Sequence, residues 1–219
     1  MRTQKKVIIL GLMVLSVFTL NLTAQEPTFP TKDLSKNPVL DGTKLPVDAG
    51  WSVTIDDQSL GKVTTNDKGE LSIICNQGES YRLNANTTTE AKFSPNNDYT
   101  IEFRIKVPEN NGRGLDVMVR DGVNSTKLLV FSHNRLMING EKTPLKVINN
   151  KDFHVYRLAV ERANAKLHIY VDKVYLTTLD LAKRGGAPSL LFAKGNVGST
   201  TEIVVDYLTF DLSGAYSPK

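Results

Sequence analysis

The stretch FHVYRLAVERANAKLHIYVD, residues 153–172, decides the fold. Apolar and polar residues alternate on both sides of its centre, which predicts two antiparallel strands joined by a tight turn at Ala163-Asn164. Pairing around that turn would place Arg157 opposite Tyr170 and would place His168 opposite an alanine. A hairpin of this kind is the unit from which an antiparallel sheet is built.

Short alternating segments continue in both directions, and turn dipeptides such as Asp121-Gly122 and Asn139-Gly140 separate them. Asn139-Gly140 predicts a hairpin turn in which both central residues have positive φ. The predicted strands are 51–55, 62–65, 70–75, 80–84, 99–107, 115–120, 127–132, 135–138, 153–162, 165–172, 174–179 and 201–211. Helical spacing extends over one turn at most, within 178–184, so the predicted fold class is all-β, a two-sheet antiparallel jelly-roll sandwich.

Two of these strands carry a polar stripe opposite an apolar one. In 99–107 the stripe is Glu102, Arg104 and Lys106, and in 115–120 it is Asp116, Met118 and Arg120. If the two strands were neighbours, their stripes would form one row of alternating charges, either the floor of a binding groove or a solvated outer face.

The N-terminal residues divide into an export signal and a linker. Residues 1–24 combine a basic start, an apolar stretch of about the length of a signal peptide and a small-residue end, which predicts cleavage and export to the periplasm or the exterior. No membrane span is expected after cleavage. Residues 25–48 are rich in proline and predict a tether before a folded domain at 49–219. Leu34 and Val39-Leu40 are the apolar residues of the tether that can dock onto that domain.

Composition limits the partners. The chain has 27 basic and 23 acidic residues, and three of the basic ones lie in the predicted signal, so the remainder is close to neutral. This balance disfavours a nucleic-acid partner, which would require a basic surface. Cys75 is the single cysteine, which excludes an internal disulfide, and its strand context predicts a buried, unreactive thiol. Trp51 is predicted to plug the core or the domain edge.

Three stretches together resemble the concanavalin A-like lectin/glucanase superfamily, and in particular its laminin-G-like branch. They are DYTIEFRI at 98–105, the hairpin at 153–172, and DYLTF at 206–210 with its GAYSP tail. The resemblance implies a curved sandwich whose concave face often holds sugar. Residues 99–120 are also partly similar to the 3-keto-disaccharide hydrolase family, although the acidic stretch expected later in that family is replaced by TKLLVFS at 126–132.

The chemistry of a glucanase is missing from the pattern. Retaining glucanases require two carboxylates about 5 Å apart beside the scissile bond, and the superfamily sets them on one strand as E-x-D-x-x-E or E-x-D-x-E. No strand has that spacing, since Glu102 is followed on its face by Arg104 and Lys106. The expectation is therefore an exported carbohydrate-binding protein. The alternatives are a glycan-cleaving enzyme that uses Glu102, Asp116 or His168, and a structural or assembly subunit.

Saccharide recognition uses aromatic or arginine surfaces and forked polar groups that bind hydroxyls. The partner is expected to be an oligo- or polysaccharide, and no catalytic residue or organic cofactor is assigned. A structural calcium at Asn96–Asp98 and Glu109–Asn111 remains open, because these residues offer oxygen ligands but are also typical of turns. The candidate ligand-binding residues on polar strand faces are Arg104, Asp116, Arg120, Arg157, His168 and Tyr170.

Overall fold

The protein, seen in a computed structural model, is built from strands, and no helix occurs in the residues that the structure describes: 25–55, 62–75, 81–85, 92–108, 114–194 and 201–219. Thirteen of the nineteen described strands have four residues or more. In chain order the strands are β1 (Thr31–Lys32), β2 (Leu40–Asp41), β3 (Ser52–Ile55), β4 (Lys62–Thr65), β5 (Leu71–Cys75), β6 (Tyr81–Ala85), β7 (Tyr99–Lys106), β8 (Leu115–Arg120), β9 (Asn124–Ser125), β10 (Leu129–Ser132), β11 (Arg135–Ile138), β12 (Lys146–Val147), β13 (His154–Glu161), β14 (Lys166–Val171), β15 (Val174–Asp180), β16 (Ala182–Lys183), β17 (Ser189–Lys194), β18 (Thr201–Asp211) and β19 (Ser217–Pro218).

The strands form two large antiparallel sheets, which confirms the predicted all-β sandwich. Sheet I has the order β15-β14-β13-β7-β18-β5-β4, with β2 beside β18. Sheet II has the order β12-β11-β10-β8-β17-β6-β3, with β9 and β16 at its margin. A separate pair, β1 and β19, joins the two ends of the described chain in parallel, and we call it the terminal ribbon.

The core lies between the two sheets and is held by aromatic contacts across them. The ring of Phe103 on β7 lies 5.3 Å from that of Phe131 and 5.6 Å from that of Phe192, both on sheet II. Tyr156 stacks on Phe103 from the neighbouring strand β13, and its hydroxyl hydrogen-bonds Asn150. All four rings are buried, and burying each stabilises the fold by roughly 1.5–3 kcal/mol. This packing explains the period-two pattern of the sequence.

The predicted central hairpin is confirmed in its register. β13 and β14 pair so that Arg157 lies opposite Tyr170 and Ala159 lies opposite His168. Tyr156 and Leu158 turn towards the core, so the residues that alternate with them lie on the outer face of sheet I.

The idea that the polar stripes of β7 and β8 share one face is wrong. β7 pairs with β13 and β18 in sheet I, whereas β8 pairs with β10 and β17 in sheet II. Because the apolar residues of both strands face the common core, their polar residues point to opposite outer surfaces of the sandwich. Local alternation carries no information about which sheet a strand joins.

Asn139-Gly140 forms a turn, but the predicted turn with two positive φ values is also wrong. Gly140 has φ of 86°, and Asn139 is not among the described residues with positive φ. The amide of Glu141 donates to the carbonyl of Ile138 at 3.1 Å, which closes a four-residue turn. A positive φ at the second central position alone fits a type II turn. After this turn a longer loop leads on to β12.

Parts of residues 25–48 pack on the sandwich. Leu34 and Leu40 are buried, which confirms their predicted docking, and β2 pairs with β18. Trp51 is buried as predicted, and its indole nitrogen donates to the carbonyl of Val39 at 3.3 Å. The segment predicted as a tether therefore contributes strands and core residues.

Some predictions fall on parts of the chain that the structure does not describe. The export signal at 1–24, the second acid-and-amide cluster at 109–111 and the burial of the Cys75 side chain all lie there. The inert thiol and the export of the protein stay predictions.

Candidate functional site

The structure divides the six candidate ligand-binding residues between two surfaces. Four belong to strands of sheet I and point away from the core: Arg104, Arg157, His168 and Tyr170. Asp116 and Arg120 point outwards from sheet II, on the other side of the molecule. The six residues therefore do not line a common site.

The terminal ribbon lies over the outer face of sheet I. The amide of Ser217 donates to the carbonyl of Pro30 at 3.0 Å, which ties the two ends together. Thr100 of β7 anchors the C-terminal segment, since its hydroxyl donates to the carbonyl of Gly214 at 3.0 Å and accepts from the amide of Tyr216 at 2.8 Å. A polar outer face is thereby withdrawn from solvent.

A network of three side chains, two of them buried, lies beside the ribbon. The Arg157 guanidinium contacts one carboxylate oxygen of Glu102, at 2.7 Å from Nε and 2.5 Å from Nη2. Tyr207 donates its hydroxyl to the other oxygen of Glu102 at 2.9 Å, and Nη1 of Arg157 donates to the Ser217 carbonyl. Arg157 is 3 % and Glu102 4 % exposed, so each charge is compensated by a close partner.

Burial is the main reason why the pKa of Tyr207 is raised well above its usual range. The negative charge of Glu102 adds to this effect, because a phenolate beside a carboxylate would be repelled. Tyr207 is consequently a fixed hydrogen-bond donor at every physiological pH, and it holds the carboxylate of Glu102 in one orientation.

A cleft of about 690 Å³ opens over this network. Its floor is formed by the outer face of sheet I, and one wall is formed by both ends of the described chain. The lining residues are Asp33, Ser35, Glu102, Val155, Arg157, Asp172, Lys173, Tyr207, Pro218 and Lys219. Its volume falls within the range of roughly 300–1,000 Å³ that is common for small-molecule sites.

His168 and Tyr170 serve the covering of sheet I and do not line this cleft. Nδ1 of His168 lies 2.7 Å from the hydroxyl of Thr178 and Nε2 lies 2.9 Å from Glu161, while the Phe29 ring packs edge-on at 5.1 Å. Burial raises the pKa of Tyr170, whose hydroxyl lies 3.2 Å from that of Ser217. Contact of either residue with a ligand stays a prediction.

Arg104 has partners of its own at the edge of the same face. Its guanidinium forms an ion pair with Asp206 and lies 4.4 Å from the centre of the Phe153 ring. Lys106 lies at 4.4 Å from the same ring. These cation–π contacts hold a partly exposed aromatic ring beside the sheet.

Arg120 and Asp116 have a different environment on sheet II. Arg120 lies opposite Ser189 and Ser125, and its buried Nε has no hydrogen-bond partner among the described residues. Asp116 is 5 % exposed and lies opposite Val130 and Ala193. The turn predicted after Arg120 is present, with φ of 91° at Gly122.

The first acid-and-amide cluster lines a second cavity, of about 490 Å³, at one end of the sandwich. Asp98 accepts from the amide of Arg162 at 2.8 Å, and the carbonyl of Asn96 accepts from the guanidinium of Arg162 at 2.7 Å. The guanidinium at the Asn96 carbonyl disfavours a second cation at that oxygen. In the described part of the chain no three His, Cys, Asp or Glu residues gather as metal ligands.

Of the ten residues that line the cleft, sequence reasoning named only Arg157 and Glu102 as candidates, and three of the others show why residues were missed. Tyr207 lies directly after Asp206, at a bulge between β18 and β7 that breaks strict alternation. Asp172 and Lys173 lie in a turn, where the strand pattern ends. The positions of Asp172 and Lys173 next to a correctly predicted hairpin were the signal that could have found them.

No protein-family model matches the chain, and no curated protein matches it. Solved structures do resemble it. A sialidase is similar over 80% of this chain and 19% of its own length, with 9% identity and a TM-score of 0.58. This chain thus spans about a fifth of that protein.

Two further structures are similar over nearly their full length. The alginate lyase AlgAT5, from polysaccharide lyase family 7, has a TM-score of 0.54 and 13% identity over 77% of this chain and 99% of its own. A carbohydrate esterase from the Shiga toxin-encoding bacteriophage phi24B has a TM-score of 0.51 and 14% identity over 80% and 97%. At these identities the likeness shows the fold, which agrees with the expected two-sheet β-sandwich.

The partial similarity to 3-keto-disaccharide hydrolases stays a prediction. In the described residues no helix is long and apolar enough to span a membrane.

Proposed function

We propose that this protein is an exported carbohydrate-binding β-sandwich protein whose ligand occupies the cleft over Glu102, Arg157 and Tyr207. The observation that carries the proposal is a cleft of about 690 Å³ whose floor is a fixed polar network. The named activities of the solved structures with this fold, on sialic acid, alginate and other carbohydrates, agree with this ligand class.

The network suits a saccharide because it is preorganised. Arg157 and Glu102 are held in place by each other, by Tyr207 and by the chain end, so the floor of the cleft needs no reordering when a ligand binds. Preorganisation lowers the entropic cost of binding a polar ligand. Val155 supplies an apolar surface between these polar groups, as the C–H face of a sugar ring requires.

Blocking the cleft tests the proposal. Val155→Trp puts a large ring on the floor, whereas Val147→Trp changes a residue that is 77 % exposed on β12 of sheet II. Glycan-array screening followed by calorimetry should find a saccharide that binds the unaltered protein and the Val147→Trp control but not Val155→Trp. Equal binding by both variants would move the site elsewhere, and a blank array would favour a structural or assembly subunit.

Glycan cleavage is the second candidate, since Glu102 and Asp172 line one cleft and glycosidases use two carboxylates. Binding is favoured because both oxygens of Glu102 already accept hydrogen bonds. Asp172 likewise accepts from the Val155 amide and contacts His154. Product release from any bound oligosaccharide, lost in Asp172→Asn, would establish the enzyme instead.

Export is a separate part of the proposal and rests on the leader at 1–24. Mass spectrometry of the protein from the exported fraction should show a mature N-terminus near Gln25. Recovery of the full-length chain from the cytoplasm would contradict export without affecting the cleft.

A further inference from the structure

The turn between β14 and β15 has a backbone that its sequence does not favour. Asp172 and Lys173 both have positive φ, 51° and 70°, and Val171 pairs with Val174 directly across them. Two positive φ values in a two-residue hairpin define a type I′ turn, for which Asn-Gly is the usual sequence. Aspartate tolerates this region, but a lysine at the second position is strained where glycine would not be.

The strained residue is also placed at the candidate site. Lys173 is exposed and lines the 690 Å³ cleft and the adjoining cavity of about 350 Å³ on the same face of the molecule. Three contacts of Asp172 hold the turn in place. Its amide donates to the carbonyl of Val155 at 2.8 Å, and its carboxylate accepts from the amide of Val155 at 2.9 Å. The other carboxylate oxygen lies 2.6 Å from Nδ1 of His154. Lys173 is thus presented from a rigid support.

The cleft lining holds three acids and three cations, and they differ in whether they have a partner. Glu102 and Asp172 are engaged as described, and Asp33 accepts hydrogen bonds from the amide and hydroxyl of Ser35. Lys173 has no ion pair or hydrogen bond in the part of the chain that the structure describes, and Lys219 lies in the same lining. Glu26 lines the smaller cavity only, so every acid that lines the larger cavity already has a partner.

From these observations we infer that Lys173 forms an anion subsite of the cleft and that the saccharide bound there carries a carboxylate or a sulfate. The inference rests on the proposed function and narrows its ligand class. An ammonium group without a protein partner, held at the rim of a cleft whose acids are engaged, favours an acidic group on the ligand. A glycine would relieve the turn but would supply no charge.

The test compares three oligosaccharides of equal length by calorimetry: a hexuronate, a sulfated hexose and a neutral hexose. The variants are Lys173→Gly and the control Lys183→Gly, which removes an exposed lysine from β16 of sheet II. We expect the unaltered protein to prefer one acidic ligand, and the preferred one identifies the group as carboxylate or sulfate. Lys173→Gly should weaken that ligand by about tenfold and leave the neutral one unchanged.

The same variant reports on strain. Relief of the positive φ should raise the melting temperature of Lys173→Gly by roughly 2–4 °C, which also shows that the variant is folded. Equal affinity for acidic and neutral ligands, or an unchanged preference in Lys173→Gly, would overturn the anion subsite and leave saccharide binding intact. Absence of binding to all three classes, and to the wider array, would overturn the proposed function and the subsite with it.

Discussion

The two outer faces of the sandwich begin from the same sequence pattern and end in different states. On sheet I, Arg157 is 3 % exposed and bonded to Glu102, Tyr207 is bonded to the same carboxylate, and the terminal ribbon lies beside them. On sheet II, Arg120 is partly exposed and its Nε has no hydrogen-bond partner among the described residues. Alternation predicts which residues point away from the core. Segments that are distant in sequence determine whether those residues are buried and which partners they bond.

The segments that make the difference are the two ends of the described chain. β1 and β19 pair with each other, and the carbonyl of Ser217 accepts from Arg157, 60 positions away. Such contacts exclude water from charged groups, and each charge must then find a partner in the protein. The cleft lies where this covering stops, with Pro218 and Asp33 in its wall.

Replacing the two arginines should give the largest contrast. Arg157→Leu leaves Glu102 buried without its cation, which should lower the free energy of unfolding by about 3–5 kcal/mol. Arg120→Leu removes no hydrogen bond of Nε and should change it by less than about 1 kcal/mol. Urea unfolding of both variants measures the difference.

The double variant Glu102→Leu/Arg157→Leu sharpens this first test. Removing both charges should restore most of the lost stability, since an apolar pair of similar size often replaces a buried ion pair at little cost. Equal losses of unfolding free energy in Arg157→Leu and Arg120→Leu would mean that the two arginines contribute equally to stability, in contradiction to the difference proposed between the two faces. Loss of saccharide binding in Arg120→Leu alone would move the site to sheet II.

Tyr207→Phe should have the second largest effect. It leaves one oxygen of Glu102 without its hydrogen bond, for which we expect a loss of about 1–3 kcal/mol in the free energy of unfolding. Tyr175→Phe is the control, because the Tyr175 hydroxyl lies 2.7 Å from the neutral hydroxyl of Thr178 in the same sheet and contacts no carboxylate among the described residues. Thermal and urea unfolding compare the two, and an equal or greater loss in the control would contradict the proposed network.

The dependence on pH gives this second test an independent readout. Because the pKa of Tyr207 is raised in the folded state, mainly by burial, its neutral form stabilises the fold below the ordinary tyrosine pKa near 10. Above that pH the unfolded chain loses its proton more readily, so the contribution falls as the pH rises. Tyr207→Phe should therefore lose less stability than the unaltered protein between about pH 10 and 11.

Much of the sheet structure could be predicted, because strand alternation is local. β4, β8, β11 and β18 begin and end where the sequence predicts, and the β13–β14 register is as expected. Sheet membership could not be predicted, since β8 and β17 pair across about 70 positions with no local signal. The proline content of 25–48 predicts little helix or strand, but it does not reveal that Leu34 and Leu40 find a buried surface.

Only part of the candidate site could be predicted from the sequence. Arg157 was a candidate because it lies on a polar strand face, and it does line the cleft. Lys173 was not, because its significance depends on a positive φ and on two cavities that meet at a turn. Tyr207 is placed by a bulge, which the alternating pattern does not predict.

Phe29→Ala tests the covering of sheet I at a smaller scale. The Phe29 ring packs edge-on against His168 at 5.1 Å and belongs to the cluster of Ala159, Tyr170 and Ala215. Because Phe29 is only partly buried, we expect a loss of about 1 kcal/mol in the free energy of unfolding. Faster amide hydrogen exchange should be confined to the terminal ribbon, and exchange that spreads into sheet II would contradict a covering that is local to sheet I.

The smallest expected effect concerns the ion pair that fastens the ribbon to β18. Burial alone would raise the pKa of Asp211, but hydrogen bonds from Lys32 and Ser213 outweigh it and the pKa is lowered. A carboxylate with a lowered folded pKa contributes stability above its ordinary pKa near 4, and the contribution is lost as the pH falls further. Lys32 has its pKa raised, chiefly by the hydrogen bond to Asp211, so its contribution is lost only above about pH 10.5. Between these limits the contribution of the ion pair to stability should be constant.

Amide exchange at residues 29–33 should therefore accelerate below about pH 4, relative to the intrinsic rate. Asp211→Asn should already show the faster exchange at neutral pH and should show no such acid step. An acid step of the same size in Asp211→Asn would assign it to other carboxylates.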